Sequence, residues 1–155
     1  MKNSALAIVT TLALFFLVSN SFCQDQHTDI FAEKNIAIKG YDPVAYFTLG
    51  EPTKGSASFQ TQNGGVKWYF SSQQHLEMFK ENPQKYLPQY GGYCAFGLAE
   101  GYKVSISPTA WAIVNDKLYL NYNQKIQKQW SENTDILIKK GDENWKALKN
   151  KSDKK

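Results

Sequence analysis

The chain has 155 residues, of which 42% are hydrophobic, and a formal net charge of +4 at pH 7. This length suits one domain with its own hydrophobic core, which needs no disulfide for stability. All 18 basic residues are lysine, so bidentate arginine contacts with phosphate or guanine are absent and the composition argues against nucleic-acid binding.

The excess positive charge lies at the C-terminal end. Residues 146–155 contain five lysines and one aspartate, whereas residues 24–145 contain twelve lysines and thirteen acidic residues. The remainder of the chain is therefore close to neutral. We interpret residues 149–155 as a solvated basic tail.

Residues 1–23 have the layout of a secretory signal peptide. Lys2 precedes an apolar run over residues 5–18, and small polar residues follow it. The run is shorter than the roughly 20 residues that a membrane-spanning helix needs. Cleavage after Cys23 predicts an exported chain, periplasmic or secreted, without a membrane span. The alternative is a lipoprotein acylated at Cys23, for which the preceding Phe22 is bulky.

After a linker over residues 24–34, residues 35–148 predict a small α+β domain of β-hairpins followed by short helices. Asp42 can cap a helical turn over residues 43–46, because its side chain accepts hydrogen bonds from free backbone amides. Alternating residues around Asn63-Gly64-Gly65 then predict a hairpin, since this turn sequence favours positive φ angles.

The first hairpin is followed by two predicted helices and a glycine turn. Ser71 or Ser72 caps the first helix, which ends before Pro83. A second short helix over residues 83–90 leads to Gly91-Gly92, where the chain can turn sharply.

The second half repeats this plan. It predicts a hairpin around Asn115-Asp116, a helix over residues 123–133, and a last helix from Asp135 to Leu148.

Several residues match between the halves, which is consistent with an internal duplication of a hairpin and a helix. In the helix, residues 79–82 match residues 130–133 at a spacing of fifty-one. In the hairpin, Lys67 and Tyr69 match Lys117 and Tyr119 at a spacing of fifty. At the spacing of fifty, His75 corresponds to Lys125, so the fold element itself does not require an imidazole.

His75 and Cys94 are the candidate functional residues. They are the only histidine and the only cysteine within residues 35–148. Imidazole and thiolate are ligands that suit zinc and copper. Both residues also have a purely structural interpretation, because a free cysteine behaves as a small buried hydrophobe and a neutral histidine can be packed and hydrogen-bonded at the edge of a core.

The stretch "WYFSSQQHLEMFKENPQKY", with "YDPVAYF" before it and "YGGYCA" after it, resembles the YHS domain, particularly its exported single-domain branch. The resemblance extends from about Ala37 to Trp145. It implies a small α+β domain that is often found in metal-handling proteins, with no settled enzymatic activity for this branch. Metal-associated members tend to have cysteines where this chain has Ser71 and His75, so a thiol-rich cluster is not implied.

The leading functional prediction is an exported binding module that holds a transition metal or a metal-containing cofactor through His75 and Cys94. Copper and zinc are the candidate metals, and haem is a further candidate. Two ligands are too few for a closed structural site. Tyr90 and Tyr93 are therefore predicted to contact the cofactor; Asp42, water or an unknown protein partner could also complete the ligand set.

Two alternatives belong to other functional classes. In the first, His75 activates Cys94 in a thiol enzyme, with Asp42 or Asn121 as the orienting group. The chain has no C-x-x-C motif for dithiol exchange, and the sequence favours a binding module over an enzyme without deciding between them. The second alternative is an interaction domain that presents aromatic rings on its surface, namely Tyr102, Trp111, Tyr119 and Tyr122.

Overall fold

A computed structural model describes residues 29–149. The predicted signal peptide, Cys23 and residues 150–155 lie outside the described residues. Within residues 29–149 no helix is long and apolar enough to cross a membrane.

The described chain contains six strands and six helices, which confirms the α+β class. The strands are β1 (Ala32–Glu33), β2 (Ile36–Ala37), β3 (Ser56–Asn63), β4 (Val66–Phe70), β5 (Ser107–Val114) and β6 (Lys117–Asn121). The helices are α1 (Ala45–Thr48), α2 (Gln73–Glu81), α3 (Pro83–Tyr86), α4 (Ala95–Ala99), α5 (Gln124–Glu132) and α6 (Thr134–Leu148).

The strands form two separate small sheets. The first has four strands in the order β1-β2-β4-β3, and the second is the hairpin β5-β6. In the first sheet β2 runs parallel to β4 through the pair Ile36↔Lys67, while the other neighbours are antiparallel. The ordered chain thus begins upstream of residue 35, because Phe31 is buried and β1 pairs with β2.

Both hairpins turn where the sequence predicts. Asn63 pairs with Val66 around two glycines, and Val114 pairs with Lys117 around Asn115 and Asp116. Asn115 and Asp116 have φ angles of 50° and 57°, the left-handed conformation that asparagine and aspartate tolerate better than most residues.

Helices α2 and α5 directly follow the two hairpins and are the long helices of the repeat, with nine residues each. Both have side-chain caps. The Ser72 hydroxyl accepts a hydrogen bond from the amide of His75, and the Asn123 side chain accepts one from the amide of Ile126. Of Ser71 and Ser72, the two serines that the sequence offered as caps of α2, the structure uses Ser72. His75 and Ile126 consequently occupy the same position in the first turn of their helices.

The repeat has one uniform spacing. The first unit contains β3, β4 and α2, and the second contains β5, β6 and α5. Corresponding elements begin 51 residues apart, as 107 minus 56, 117 minus 66 and 124 minus 73 show. The spacing of fifty predicted for the second strand is therefore wrong by one residue, and His75 corresponds to Ile126 rather than to Lys125. At a spacing of fifty the matched strand residues would face opposite sides of the sheet, because successive side chains in a strand alternate between the two faces.

Aromatic packing dominates the core, in which the two units use equivalent pairs. In the first unit Trp68 stacks on Phe79 with ring centroids 5.6 Å apart. In the second, Tyr119 packs against Trp130 at 5.1 Å. All four rings are buried.

A short helix precedes each hairpin, namely α1 before β3 and α4 before β5. The sequence predicted the first of these helices but not the second. Helix α4 has only five residues, and Gly97 lies in its middle, so its sequence carries little helical signal. The start of α4 is joined to the second hairpin by a bridge between Cys94 and Leu120.

Candidate functional site

Asp42 lies at the centre of a buried polar cluster. Its residue is fully buried, and its carboxylate accepts five hydrogen bonds. Oδ1 accepts from the amides of Val44 and Ala45, at 2.8 and 3.3 Å, which confirms the predicted capping role at the start of α1. The other oxygen reaches across the fold to the junction between β4 and α2.

At that junction Oδ2 of Asp42 accepts from Ser71 and His75. The Ser71 amide and hydroxyl lie 2.8 and 2.7 Å away, and His75 Nδ1 lies 2.6 Å away. Because Oδ2 is an acceptor, Nδ1 of His75 carries the proton of this hydrogen bond. Asp42 therefore fixes both the position and the tautomer of the imidazole.

The second nitrogen of His75 contacts the end of α1. Nε2 lies 3.2 Å from the hydroxyl of Thr48, an exposed residue at the end of α1. The hydroxyl of Thr48 is also 3.1 Å from the carbonyl of Val44, to which it can donate. The His75 side chain is 10% exposed, and its Nε2 lies beside a residue that is itself exposed.

Cys94 lies in a different environment. It is a free, buried cysteine at the start of α4, where Sγ accepts a hydrogen bond from the amide of Gly97 at 3.4 Å. Its thiol donates to Oδ1 of Asn121 at 3.7 Å. Burial raises the pKa of the Cys94 thiol above its ordinary value, against the opposing effect of the backbone amide of Gly97. The neutral thiol is therefore favoured, which makes Cys94 a poorer nucleophile and metal ligand.

Asn121 completes the surroundings of the thiol. Its residue is fully buried, and Oδ1 also accepts from the amide of Phe96 at 3.2 Å. Its Nδ2 has no hydrogen-bond partner among the described residues.

The two candidate orienting groups thus serve different residues, Asp42 for His75 and Asn121 for Cys94. No hydrogen bond within residues 29–149 joins His75 to Cys94, and the hydrogen-bond partners described for the two side chains do not overlap. The structure therefore does not bring the pair together as a nucleophile and its base.

Tyr90 is buried against α6. Its hydroxyl lies 3.0 Å from a carboxylate oxygen of Asp142 and 3.2 Å from the carbonyl of Ile138. Burial, followed by the charge of Asp142, raises the pKa of Tyr90 well above its usual range. Its ring and hydroxyl thus have structural partners, and its predicted contact with a cofactor stays a prediction.

Tyr93 also packs against neighbouring aromatic rings. Its ring lies 5.6 Å from that of Phe31 and 6.5 Å from that of Trp145, and the amine of Lys103 lies 5.2 Å from its centroid. Its predicted contact with a cofactor likewise stays a prediction.

Of the aromatic residues considered for a surface, Tyr102 and Tyr122 are 50% and 55% exposed. Tyr119 is buried, and Trp111 packs against Tyr46 at 5.2 Å.

The ligand chemistry fits one metal contact better than a closed site. Among residues 29–149 no group of three or more histidine, cysteine, aspartate or glutamate residues could hold a metal ion. His75 nevertheless shares one feature with metal-binding histidines, namely a carboxylate that is hydrogen-bonded to one ring nitrogen. The described residues therefore offer a single oriented imidazole.

The sequence named Ser71 as a helix cap but missed its contact with Asp42 and His75, and it missed Thr48 altogether. Ser71 and His75 lie one helical turn apart, which is a detectable signal. Thr48 had none, because its contact joins residues 27 positions apart.

A family model for the YHS domain matches residues 44–90. The matched region spans α1, the first hairpin, α2 and α3, which is consistent with a protein that contains a YHS domain. His75 lies inside the match, whereas Cys94 and the second hairpin lie beyond it. YHS domains are generally associated with metal handling. No curated protein and no solved structure matches the chain.

Proposed function

We propose that this protein is an exported binding module that takes up a transition metal, or a metal-containing cofactor, through Nε2 of His75. The main observation that supports this proposal is the hydrogen bond of 2.6 Å between Nδ1 of His75 and the buried carboxylate of Asp42. It leaves Nε2 as the ring nitrogen that can coordinate a metal.

The physical argument rests on preorganisation. Asp42 is held by three backbone amides and the Ser71 hydroxyl, so the carboxylate does not move when the imidazole gains or loses a ligand. A carboxylate behind the ring also fixes the orientation of the coordinating imidazole. His75 is thereby prepared for coordination without a change in the fold.

The other ligands would come from outside the polar cluster. Both carboxylate oxygens of Asp42 already accept hydrogen bonds, and Cys94 lies beside Asn121. A cofactor such as haem, which brings ligands of its own to the metal, would need only one further contact from the protein, and His75 would supply it. A metal shared with a partner protein would have the same requirement. Copper and zinc remain the candidate ions because both accept imidazole.

The experiment compares metal and haem binding by the mature, untagged protein and three single variants. His75→Ala is expected to lower the affinity for the bound metal or haem by roughly tenfold or more, because it removes the proposed ligand. His27→Ala is the matched control, since it removes the only other histidine of the chain. Cys94→Ser tests the second predicted ligand.

Equal losses in His75→Ala and Cys94→Ser would favour the two-ligand site predicted from the sequence. Loss in His75→Ala alone would support the proposal. Binding that survives in His75→Ala, or a wild-type protein that takes up neither copper, zinc nor haem, would contradict it.

A further inference from the structure

The second unit has a cavity of about 190 Å³ beside Cys94. One wall is formed by the start of α4, and the others come from the loop before β5, the end of β6 and the first turn of α5. Apart from Cys94 and Gly97, its wall is aromatic or aliphatic, being formed by Phe96, Tyr102, Val104, Tyr122 and Ile126.

This cavity lies where the first unit has its polar cluster. Ile126 corresponds to His75, and Tyr122 corresponds to Ser71, at the common spacing of 51 residues. Both units thus place a residue from the first turn of the long helix beside the start of the preceding short helix. In the first unit these residues are hydrogen-bonded to Asp42, whereas in the second they border an open volume.

The wall favours a neutral occupant. None of the residues that line the cavity carries a charge at neutral pH, because the raised pKa of Cys94 keeps its thiol protonated. A charged ligand would lose its hydration without gaining an ion pair. The half-exposed rings of Tyr102 and Tyr122 offer apolar faces to a ligand that enters from solvent.

Gly97 allows the loop before β5 to pack closely against α4 at the edge of the cavity. A methyl group at Gly97 would lie 2.7 Å from Cγ2 of Val104 and 3.2 Å from the carbonyl of Tyr102. Val104 can therefore approach the helix only because residue 97 has no side chain. The volume exceeds the cavity of about 150 Å³ that holds benzene in an engineered protein.

A buried donor lies next to this wall. Oδ1 of Asn121 contacts the thiol of Cys94 and the amide of Phe96, and both of these residues line the cavity. Nδ2 of the same carboxamide has no partner among residues 29–149. Asn121 itself is fully buried and does not line the cavity, so its carboxamide supports Cys94 and Phe96 from behind the wall.

From the apolar wall and the lack of a charged residue in the lining, we infer that the cavity beside Cys94 binds a small, neutral, mainly apolar molecule. This site is separate from the metal contact proposed at His75, and neither proposal depends on the other.

The test is a nuclear magnetic resonance titration of the mature protein with acetophenone, which is neutral, apolar and of suitable size, and with benzoate as the anionic analogue. Acetophenone is expected to give saturable shifts of the amides of Phe96, Gly97 and Ile126. Benzoate should bind roughly tenfold more weakly or not at all, because its charge finds no partner.

Two filled variants, Ile126→Trp and Val104→Phe, should each weaken acetophenone binding by roughly tenfold, since the added rings occupy the cavity. Using both keeps the test valid if one of them fails to fold. His75→Ala should bind acetophenone as the wild type does, which separates this site from the proposed function. Lys39→Ala, which alters a neighbouring hollow that shares Tyr122, serves as the control.

Three results would overturn the inference. They are the absence of saturable shifts in the wild type, equal binding of benzoate and acetophenone, and unchanged acetophenone binding in the filled variants.

Discussion

The two hairpin and helix units share a backbone and differ in the chemistry at one place. Where the first unit has His75 and Ser71 around a buried carboxylate, the second has Ile126 and Tyr122 beside a neutral thiol and a cavity. Their aromatic pairs in the core correspond, as do the side-chain caps of their long helices. The fold is therefore preserved by the core and the caps, while the start of the long helix is open to chemical change.

The two candidate residues, Cys94 and His75, belong to different units. Cys94 begins the short helix of the second unit and pairs with Leu120 of that unit, so it belongs structurally to the second hairpin. His75 belongs to the first. Two residues that stand 19 positions apart in the sequence are thus parts of different units.

Among the variants that test the difference between the two units, Asp42→Ala should have the largest effect. It removes the acceptor of three backbone amides, Ser71 and His75, and it leaves these buried donors unpaired. We expect the free energy of unfolding to fall by roughly 3–5 kcal/mol, as for one partner removed from a buried pair.

Urea unfolding followed by tryptophan fluorescence measures the change. The control is Cys94→Ser, in which a hydroxyl can still bond to Gly97 and Asn121; we expect a loss of only about 1 kcal/mol. Equal losses would show that the carboxylate holds the first unit together no more than the thiol holds the second.

The comparison can be sharpened by Ile126→His. This change places an imidazole at the counterpart of His75, on the wall that Cys94 also lines. We expect zinc affinity to rise by roughly tenfold or more, because a histidine and a cysteine would then border one cavity.

Isothermal titration with zinc measures the gain, and Ile126→Gln controls for the added polarity. The same gain in Ile126→Gln, or none in Ile126→His, would count against the equivalence of the two positions.

The raised pKa of the Cys94 thiol predicts a loss of stability at alkaline pH. The unfolded chain loses this proton near the ordinary pKa of 9.0, while the folded chain still retains it. Between the two pKa values the unfolded state binds fewer protons, so the free energy of unfolding falls as pH rises. Below the pKa of the unfolded state both states keep the thiol proton, so the thiol causes no loss of stability there.

Urea melts at about pH 8 and about pH 10 measure this effect, and Cys94→Ala should show a smaller difference between them. Tyrosines with raised pKa values add to the loss in both proteins, so only the difference between wild type and variant reports on the thiol. An identical difference in the two would contradict the assignment.

The smallest expected effect is that of Tyr90→Phe. It removes hydrogen bonds to Asp142 and to the carbonyl of Ile138, at a cost of about 1 kcal/mol. If Tyr90 only stabilises the packing of α6, then metal or haem binding at His75 should not change. A loss of binding greater than that of stability would instead support the cofactor contact predicted from the sequence.

The sequence predicted the hairpins, most of the helices and the cap at Asp42, because these depend on turn residues and side-chain caps that act over a few positions. The missed helix α4 contains a glycine and has too few residues for a periodic pattern. The site was harder. The contacts of Asp42 with Ser71 and His75 cross 29 and 33 positions, and only the packed fold decides that Asp42, rather than Cys94, stands behind the imidazole.

The saturated carboxylate of Asp42 also determines the direction from which His75 can be approached. Nδ1 of the imidazole is occupied by this carboxylate, and Nε2 lies beside Thr48 at the end of α1. A ligand of Nε2 would therefore meet this helix end. A bulky side chain at position 48 would act as a gate, shielding the imidazole without disturbing the bonds that hold it.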